Sequence, residues 1–208
     1  MGPLFVVFEG GDSVGKSTQV RMLGEWLGGS GVAHLVTRQP GGTVIGAELR
    51  RLLLDPSYGD VSPRAEALMY AADKAQHVEE SIRPALERGE VVVSDRYVLS
   101  MIAYQGAGRG LTAEEIERIG WWSVGGLRPD LTVLLDADPE KAVAAIKSKD
   151  RLEQAGLDLH HRAREFFLRQ ASQDPSHFLV LDATGTREAI AAAVRERVTG
   201  LLGRVRSG

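Results

Sequence analysis

Gly10-Gly11-Asp12-Ser13-Val14-Gly15-Lys16-Ser17 matches the pattern G-x-x-x-x-G-K-[ST] in full. Backbone N–H groups of such a loop turn inward on the phosphates of a nucleotide. Gly10 and Gly15 allow the backbone angles and close approach this requires. Lys16 is placed to reach β- and γ-phosphates, and Ser17 to offer its hydroxyl to Mg2+. A glycine turn with an incidental lysine would give the same letters. Position decides between them, because the motif falls directly after an apolar strand and directly before a helix, whose N-terminus favours anions.

Three other segments carry side chains that could act with this loop. Arg38 lies in Thr37-Arg38-Gln39-Pro40-Gly41-Gly42-Thr43, at the end of a short strand. An arginine there can clamp a phosphate through two parallel hydrogen bonds, although a surface turn fits equally well. Tyr70 and Lys74 are four residues apart on a helix and share a face. Together they could stack on a base and donate to its edge, or simply belong to a half-buried helix. Asp95 ends an apolar strand, where an acid can hold Mg2+ or its water, and Arg96 adjoins it. A strand-end salt bridge is the alternative account of that pair, and the phosphate loop upstream favours the metal-holding one.

The elements that must position these groups follow from apolar runs and breakers. Leu4–Phe8, Leu35–Thr37, Val91–Ser94, Leu131–Leu135 and Phe178–Leu181 read as short strands. They are continuous apolar runs, as expected of strands buried on both faces. Helices are expected at Thr18–Leu27, at Val44–Leu54 with Ile45, Leu49, Leu52 and Leu53 on one side, and from Pro63 towards Gln76 behind an Ser62 cap. Val78–Arg88 is helical but interrupted by Pro84. Ser100–Tyr104 is a short apolar segment, and Thr112 with Glu115 forms a capping box for a helix through Trp122. Helices follow from Asp138-Pro139 to about Ile146, over Leu159–Gln173 and over Thr186–Leu202. The charged stretch Lys147–Asp158 between them reads as mobile. Strands alternating with helices give an α/β class with a parallel sheet.

Composition narrows the function. Of 208 residues, 43% are apolar and 25% charged, so the chain is not disordered. Net charge is −3, which disfavours a general nucleic-acid binder. No apolar run approaches the roughly 20 residues of a membrane span, and no secretory signal is expected at the N-terminus. There are no cysteines, which removes disulfides, thiolate zinc sites and cysteine nucleophiles and is compatible with a reducing cytoplasm. His160 and His161 read as helix-surface histidines rather than metal ligands. The phosphate loop leaves kinases, ATPases and GTPases open, but the N-K-x-D that reads guanine is absent.

The chain resembles the thymidylate kinases of the nucleoside-monophosphate kinase group. The resemblance rests on Phe8–Gln19 (FEGGDSVGKSTQ), Thr37–Thr43 (TRQPGGT), Leu52–Pro56 (LLLDP) and Tyr70–His77 (YAADKAQH). It continues through Asp95–Tyr97 (DRY), Ala103–Leu111 (AYQGAGRGL), Pro129–Asp136 (PDLTVLLD) and Asp150–Gln154 (DRLEQ), in family order over about three quarters of the chain. It implies a P-loop NTPase-type three-layer fold, a five-stranded parallel sheet flanked by helices, with a short lid at about 147–158 in one domain spanning 1–208. It implies phosphate transfer from ATP to dTMP, giving dTDP, with Mg2+ as cofactor, in a cytoplasmic homodimer.

By the same resemblance Gly10, Gly11, Asp12, Ser13, Val14, Gly15, Lys16, Ser17 and Thr18 hold ATP phosphates, and Ser17 and Asp95 hold Mg2+. Asp12 lies near the transferred phosphoryl group. Arg38 and Arg96 hold the acceptor phosphate, Tyr70 stacks on the pyrimidine, and Lys74 faces the base edge. Tyr104 packs under the sugar, and Ser100 and Gln105 complete the acceptor site. This chain departs from the family pattern in three places. Lys74 stands where arginine is usual, Gln39 replaces the usual glutamate, and neither Ser13 nor Ala145 supplies the usual catalytic arginine. Arg151 is the expected substitute, with Lys147 or Lys149 assisting, while Arg162 and Arg164 follow on the next helix. Lys74 and Met101 leave two alternatives open: a kinase for dUMP or a 5-substituted dUMP, and a degenerate nucleotide-binding regulator.

Overall fold

A computed structural model describes residues 2–106, 111–140 and 156–204. Its sheet has five parallel strands, β1 (Leu4–Gly10), β2 (His34–Arg38), β3 (Val91–Asp95), β4 (Leu131–Asp136) and β5 (Phe178–Asp182), in the order β2-β3-β1-β4-β5. β1 lies at the centre, and every one of its residues is buried. Alternate residues feed two cores, because side chains along a strand point to opposite faces. Phe5 and Val7 pack with Val92 and Leu134 on one face; Val6 and Phe8 pack with Val93 and Val133 on the other.

The helices are α1 (Lys16–Gly29), α2 (Val44–Leu54), α3 (Pro63–His77), α4 (Arg83–Glu87), α5 (Val98–Gln105), α6 (Ala113–Ser123), α7 (Leu157–Gln173) and α8 (Arg187–Arg204). The first core includes Ala67 and Tyr70 of α3, Met101 and Ile102 of α5, and Phe167 of α7. The second includes Val20 and Leu23 of α1 and Val194 and Val198 of α8. Helices thus cover both faces, as a parallel sheet requires. A π turn at Val78–Ile82 separates α3 from α4, which restarts with Pro84 in its first turn, where a missing N–H costs nothing. The capping box at α6 forms, with Glu115 N donating to Thr112 Oγ1 at 3.2 Å and Thr112 N to Glu115 Oε2 at 2.9 Å. Among the described residues no helix is long and apolar enough to cross a membrane.

Three expectations need correction. β2 and β5 are not buried on both faces: they are edge strands, and Val36 and Val180 are exposed. Ile45 does not join Leu53 in the core but points to solvent. His160 is buried, not on the helix surface, because its ring meets Tyr104 edge-on at 6.1 Å.

Register is what assembles the site. Arg38 pairs with Asp95 across β2 and β3, Phe8 pairs with Asp95 across β1 and β3, and Gly10 pairs with Leu135 of β4. The carboxyl ends of four strands therefore open on one crevice, the usual ligand position in such sheets.

Candidate active site

At the end of β1 the chain enters its phosphate loop. Gly10 has φ 133° and Gly15 has φ 95°, and a Cβ on Gly10 would collide with the carbonyl oxygen of Leu135. Neither position suits a side chain. Lys16 opens α1, its side chain buried, and donates to the carbonyl oxygen of Gly11. Burial, with Arg96 nearby, pulls its pKa down to about 8, against the opposing pull of Asp12 and Asp95. Ser17 Oγ donates to Asp95 Oδ2 at 2.6 Å. Thr18 follows on α1, and Ser13 and Val14 form the loop tip. A hydroxyl and a carboxylate side by side are the hard oxygen ligands that Mg2+ takes alongside phosphate and water.

Arg96 connects this loop to the rest of the site. Its backbone is left-handed, with φ 69°, a conformation that costs a non-glycine residue of order 1–3 kcal/mol. Its N–H donates to Phe8 O at 2.9 Å, which ties the turn to β1. The guanidinium donates to Gly10 O at 3.1 Å, to Ser100 Oγ at 2.8 Å and to Asp12. It also lies 5.4 Å from the centre of the Tyr104 ring. Burial works against the Asp12 carboxylate, but Arg96 and then Lys16 outweigh it and hold its pKa below the ordinary range.

Glu9 was not singled out by its sequence, yet it organises the wall opposite the loop. It is fully buried, and burial raises its pKa, against the opposing pull of Arg96. Its carboxylate accepts from Tyr97 N at 2.9 Å, from Ser100 N at 3.2 Å and from Ser100 Oγ. Those backbone donors begin α5 and would otherwise lack intrahelical partners. An acid closing the apolar run of β1 was the available signal, since buried charges must be paired.

The cleft beyond Arg96 has a volume of about 240 Å³. It brings together Asp12, Ser13, Lys16, Ser17, Arg38, Tyr70, Lys74, Asp95, Arg96, Ser100, Tyr104 and Gln105, all anticipated, with Met101 beside them. Arg38 is exposed, and among the described residues no carboxylate pairs with it. Lys74 Nζ lies 6.0 Å from the centre of the Tyr70 ring. Gln105 Nε2 donates to buried Glu66 at 3.1 Å. Burial holds the Tyr104 phenol protonated by raising its pKa. Gln39 turns away from Arg38 and accepts at Oε1 from Lys74 at 3.0 Å. Arg50, which sequence reasoning missed, also lines the cleft and donates to Pro40 O at 3.0 Å. Spacing gives no sign of it, because Arg50 and Arg51 are adjacent on an ordinary helix and nothing in the pattern says which one faces the cleft.

Arg151, Lys147, Lys149 and Ala145 lie outside the described residues, as do Gly108 and Gly110. Arg164 is engaged with Asp136 through two hydrogen bonds, of 2.7 and 2.8 Å, at the carboxyl end of β4. Arg162 is exposed.

A family model described as thymidylate kinase matches residues 8–194. The chain is 54% identical over 204 residues to the thymidylate kinase of Cutibacterium acnes, covering 98% of this chain and 100% of that one. It is 49% identical over 205 residues to the thymidylate kinase of Bifidobacterium longum strain DJO10A, covering 97% and 100%. The crystal structure of thymidylate kinase from Ehrlichia chaffeensis matches with a TM-score of 0.74 at 26% identity, over 95% of this chain and 99% of that one.

Proposed function

Because the chain belongs to the thymidylate kinase family, we infer that it transfers the γ-phosphoryl group of ATP to dTMP, giving dTDP and ADP. One observation carries the mechanism: a single cleft joins Lys16 and Ser17 of the phosphate loop to Arg38, Arg96, Tyr70 and Lys74. A phosphate oxygen of dTMP attacks the γ-phosphorus, and the bond from that phosphorus to the β–γ bridging oxygen breaks. Two anions must meet in line, so positioning and charge neutralisation supply most of the rate.

The loop from Gly10 to Thr18 cradles the ATP phosphates, with Lys16 on the β- and γ-groups. Arg38 and Arg96 hold the dTMP phosphate, and Asp12 keeps Arg96 aimed across the cleft. Tyr70 stacks on the pyrimidine, Lys74 donates to its edge, and Tyr104 with Ser100 and Gln105 bounds the sugar, which leaves no room favourable to a 2′-hydroxyl. Ser17 and Asp95 are the residues that would hold Mg2+, which supplies further charge neutralisation on the phosphates. Arg151, in a lid at about 147–158, completes the neutralisation. The whole of 1–208 is read as one kinase domain working in the cytoplasm, where ATP is at hand.

A homodimer is the assembly we propose. A groove of about 600 Å³ between α3 and α6 is lined by Ala67, Leu68, Ile116, Ile119 and Trp122. Leu68 is 59% exposed and Trp122 81% exposed, side chains that a second copy of the chain would cover.

An ADP-release assay over a panel of nucleoside monophosphates tests the activity. Turnover of dTMP should exceed that of dUMP by about tenfold or more in kcat/KM. The reverse order, or no turnover despite ATP binding, would overturn it.

A further inference from the structure

The far end of the cleft contains few groups able to read a base. Pro40, Leu54 and Met101 are apolar there, and Gln105 Nε2 is engaged with Glu66. The cation placed to meet the base edge is Lys74, only 2% exposed and set beside the Tyr70 ring. An ammonium can only donate, so its three N–H groups need acceptors.

One acceptor is Gln39 Oε1, at 3.0 Å. That contact fixes the direction of a buried chain. With the amide oxygen towards Lys74, Gln39 Nε2 must donate to His77 Nδ1, 3.0 Å away. His77 then carries its proton on Nε2 and donates to Thr37 Oγ1 at 2.6 Å. Gln39 is 2% exposed and His77 is fully buried, so water does not compete. Burial, then Lys74, pulls the His77 pKa down to about 4, and the ring stays neutral. A glutamate at 39 would keep the chain only with its direction reversed, His77 donating from Nδ1 and accepting at Nε2 from the Thr37 hydroxyl.

We propose that Gln39 is a specificity-positioning residue: anchored through His77 on Thr37, it binds one ammonium N–H of Lys74 and aims the others at a ring carbonyl of the pyrimidine. The site thereby rejects a base that presents an amino group at that position, where donor would face donor. The inference rests on the proposed reading of Tyr70 and Lys74 as the base pocket. The charged groups around Lys74 are Asp73 beside it on α3, Glu9 from β1 and Arg96 after β3, with neutral His77 on its own helix.

The test compares dTMP with dCMP. Gln39→Met removes the acceptor at nearly constant volume. It should raise the KM for dTMP about tenfold, leave kcat within about threefold, and lower the dTMP-to-dCMP preference about tenfold. Gln39→Glu restores an acceptor. It should recover the dTMP KM to within about threefold and move the alkaline limb of dTMP affinity, measured without ATP, upward, because a carboxylate favours the charged ammonium. Unchanged KM and preference in Gln39→Met would overturn the proposal. So would equal impairment of both variants, which would mark a packing role. Should Gln39→Met not fold, the pH limb of Gln39→Glu decides, and a limb that stays in place sinks the idea. Lys74→Ala separates this proposal from the reading beneath it. An unchanged dTMP KM there removes the base pocket itself, whereas a raised KM beside an unaffected Gln39→Met removes only the role of Gln39.

Discussion

Arg96 donates to Asp12 across the mouth of the cleft, from a left-handed backbone position at the end of β3. The pair links the two sides of the proposed transfer: Asp12 belongs to the phosphate loop and Arg96 to the acceptor wall. Asp12 foremost sustains the arginine's charge against burial. Lysine cannot reproduce a fork that reaches Gly10 O, Ser100 Oγ and Asp12 at once. Arg96→Lys should therefore lower kcat/KM for dTMP about 100-fold with little change in thermal midpoint. Steady-state kinetics beside a thermal melt checks this, and a loss below threefold would remove Arg96 from the phosphate site.

Lys16→Ala should abolish turnover and leave the fold intact. The ammonium is buried and its charged form is already disfavoured, so its loss does not cost a stabilising ion pair. Circular dichroism beside a single-turnover assay decides it; normal activity would dismiss the phosphate-loop role.

Glu9→Leu removes the acceptor for Tyr97 N and Ser100 N at the start of α5. Leaving buried donors unsatisfied costs about 1–3 kcal/mol. Denaturant unfolding should register that loss, together with a raised KM for dTMP, because α5 carries Ser100, Met101, Tyr104 and Gln105. Unchanged stability would mean that the carboxylate is not the cap.

Affinity for dTMP, measured without ATP, should fall as pH rises through about 8. Burial lowers the Lys74 pKa to that value, and the neutral amine donates more weakly. Lys74→Arg should flatten the limb, since arginine does not titrate there. A limb that persists in the variant would belong to another group.

His77 ties stability to acid. Its ordinary pKa is 6.5 and burial lowers it to about 4, so between those values the unfolded chain binds the extra proton. Stability should be full above pH 6.5 and fall towards pH 4, by roughly 3 kcal/mol from this group. His77→Gln should flatten that part of the stability profile; an unchanged slope would assign the acid sensitivity elsewhere.

The strand–loop–helix of the phosphate site was legible because its chemistry lies within eight consecutive residues. Arg38, Tyr70, Lys74, Asp95 and Arg96 were legible as strand-end and helix-face positions that a parallel sheet gathers on one side. Glu9 was not, because its partner Ser100 lies 91 residues away. The Gln39–His77 contact spans 38 residues, and spacing along one helix does not reveal it. Ile45 and His160 were misread for a related reason: periodicity finds a helix face but not the element opposite it. The half-exposure of β2 and β5 depends on strand order, which an apolar run does not encode.

Glu9 and Gly10 are adjacent in one strand, yet the first fastens α5 and the second opens the phosphate loop. The two nucleotides therefore pull on a shared tether. A displacement of the loop by ATP is passed to α5 through one buried strand, so ATP and dTMP should bind with thermodynamic linkage. Altered amide hydrogen exchange in α5 when only ATP is present would be its signature.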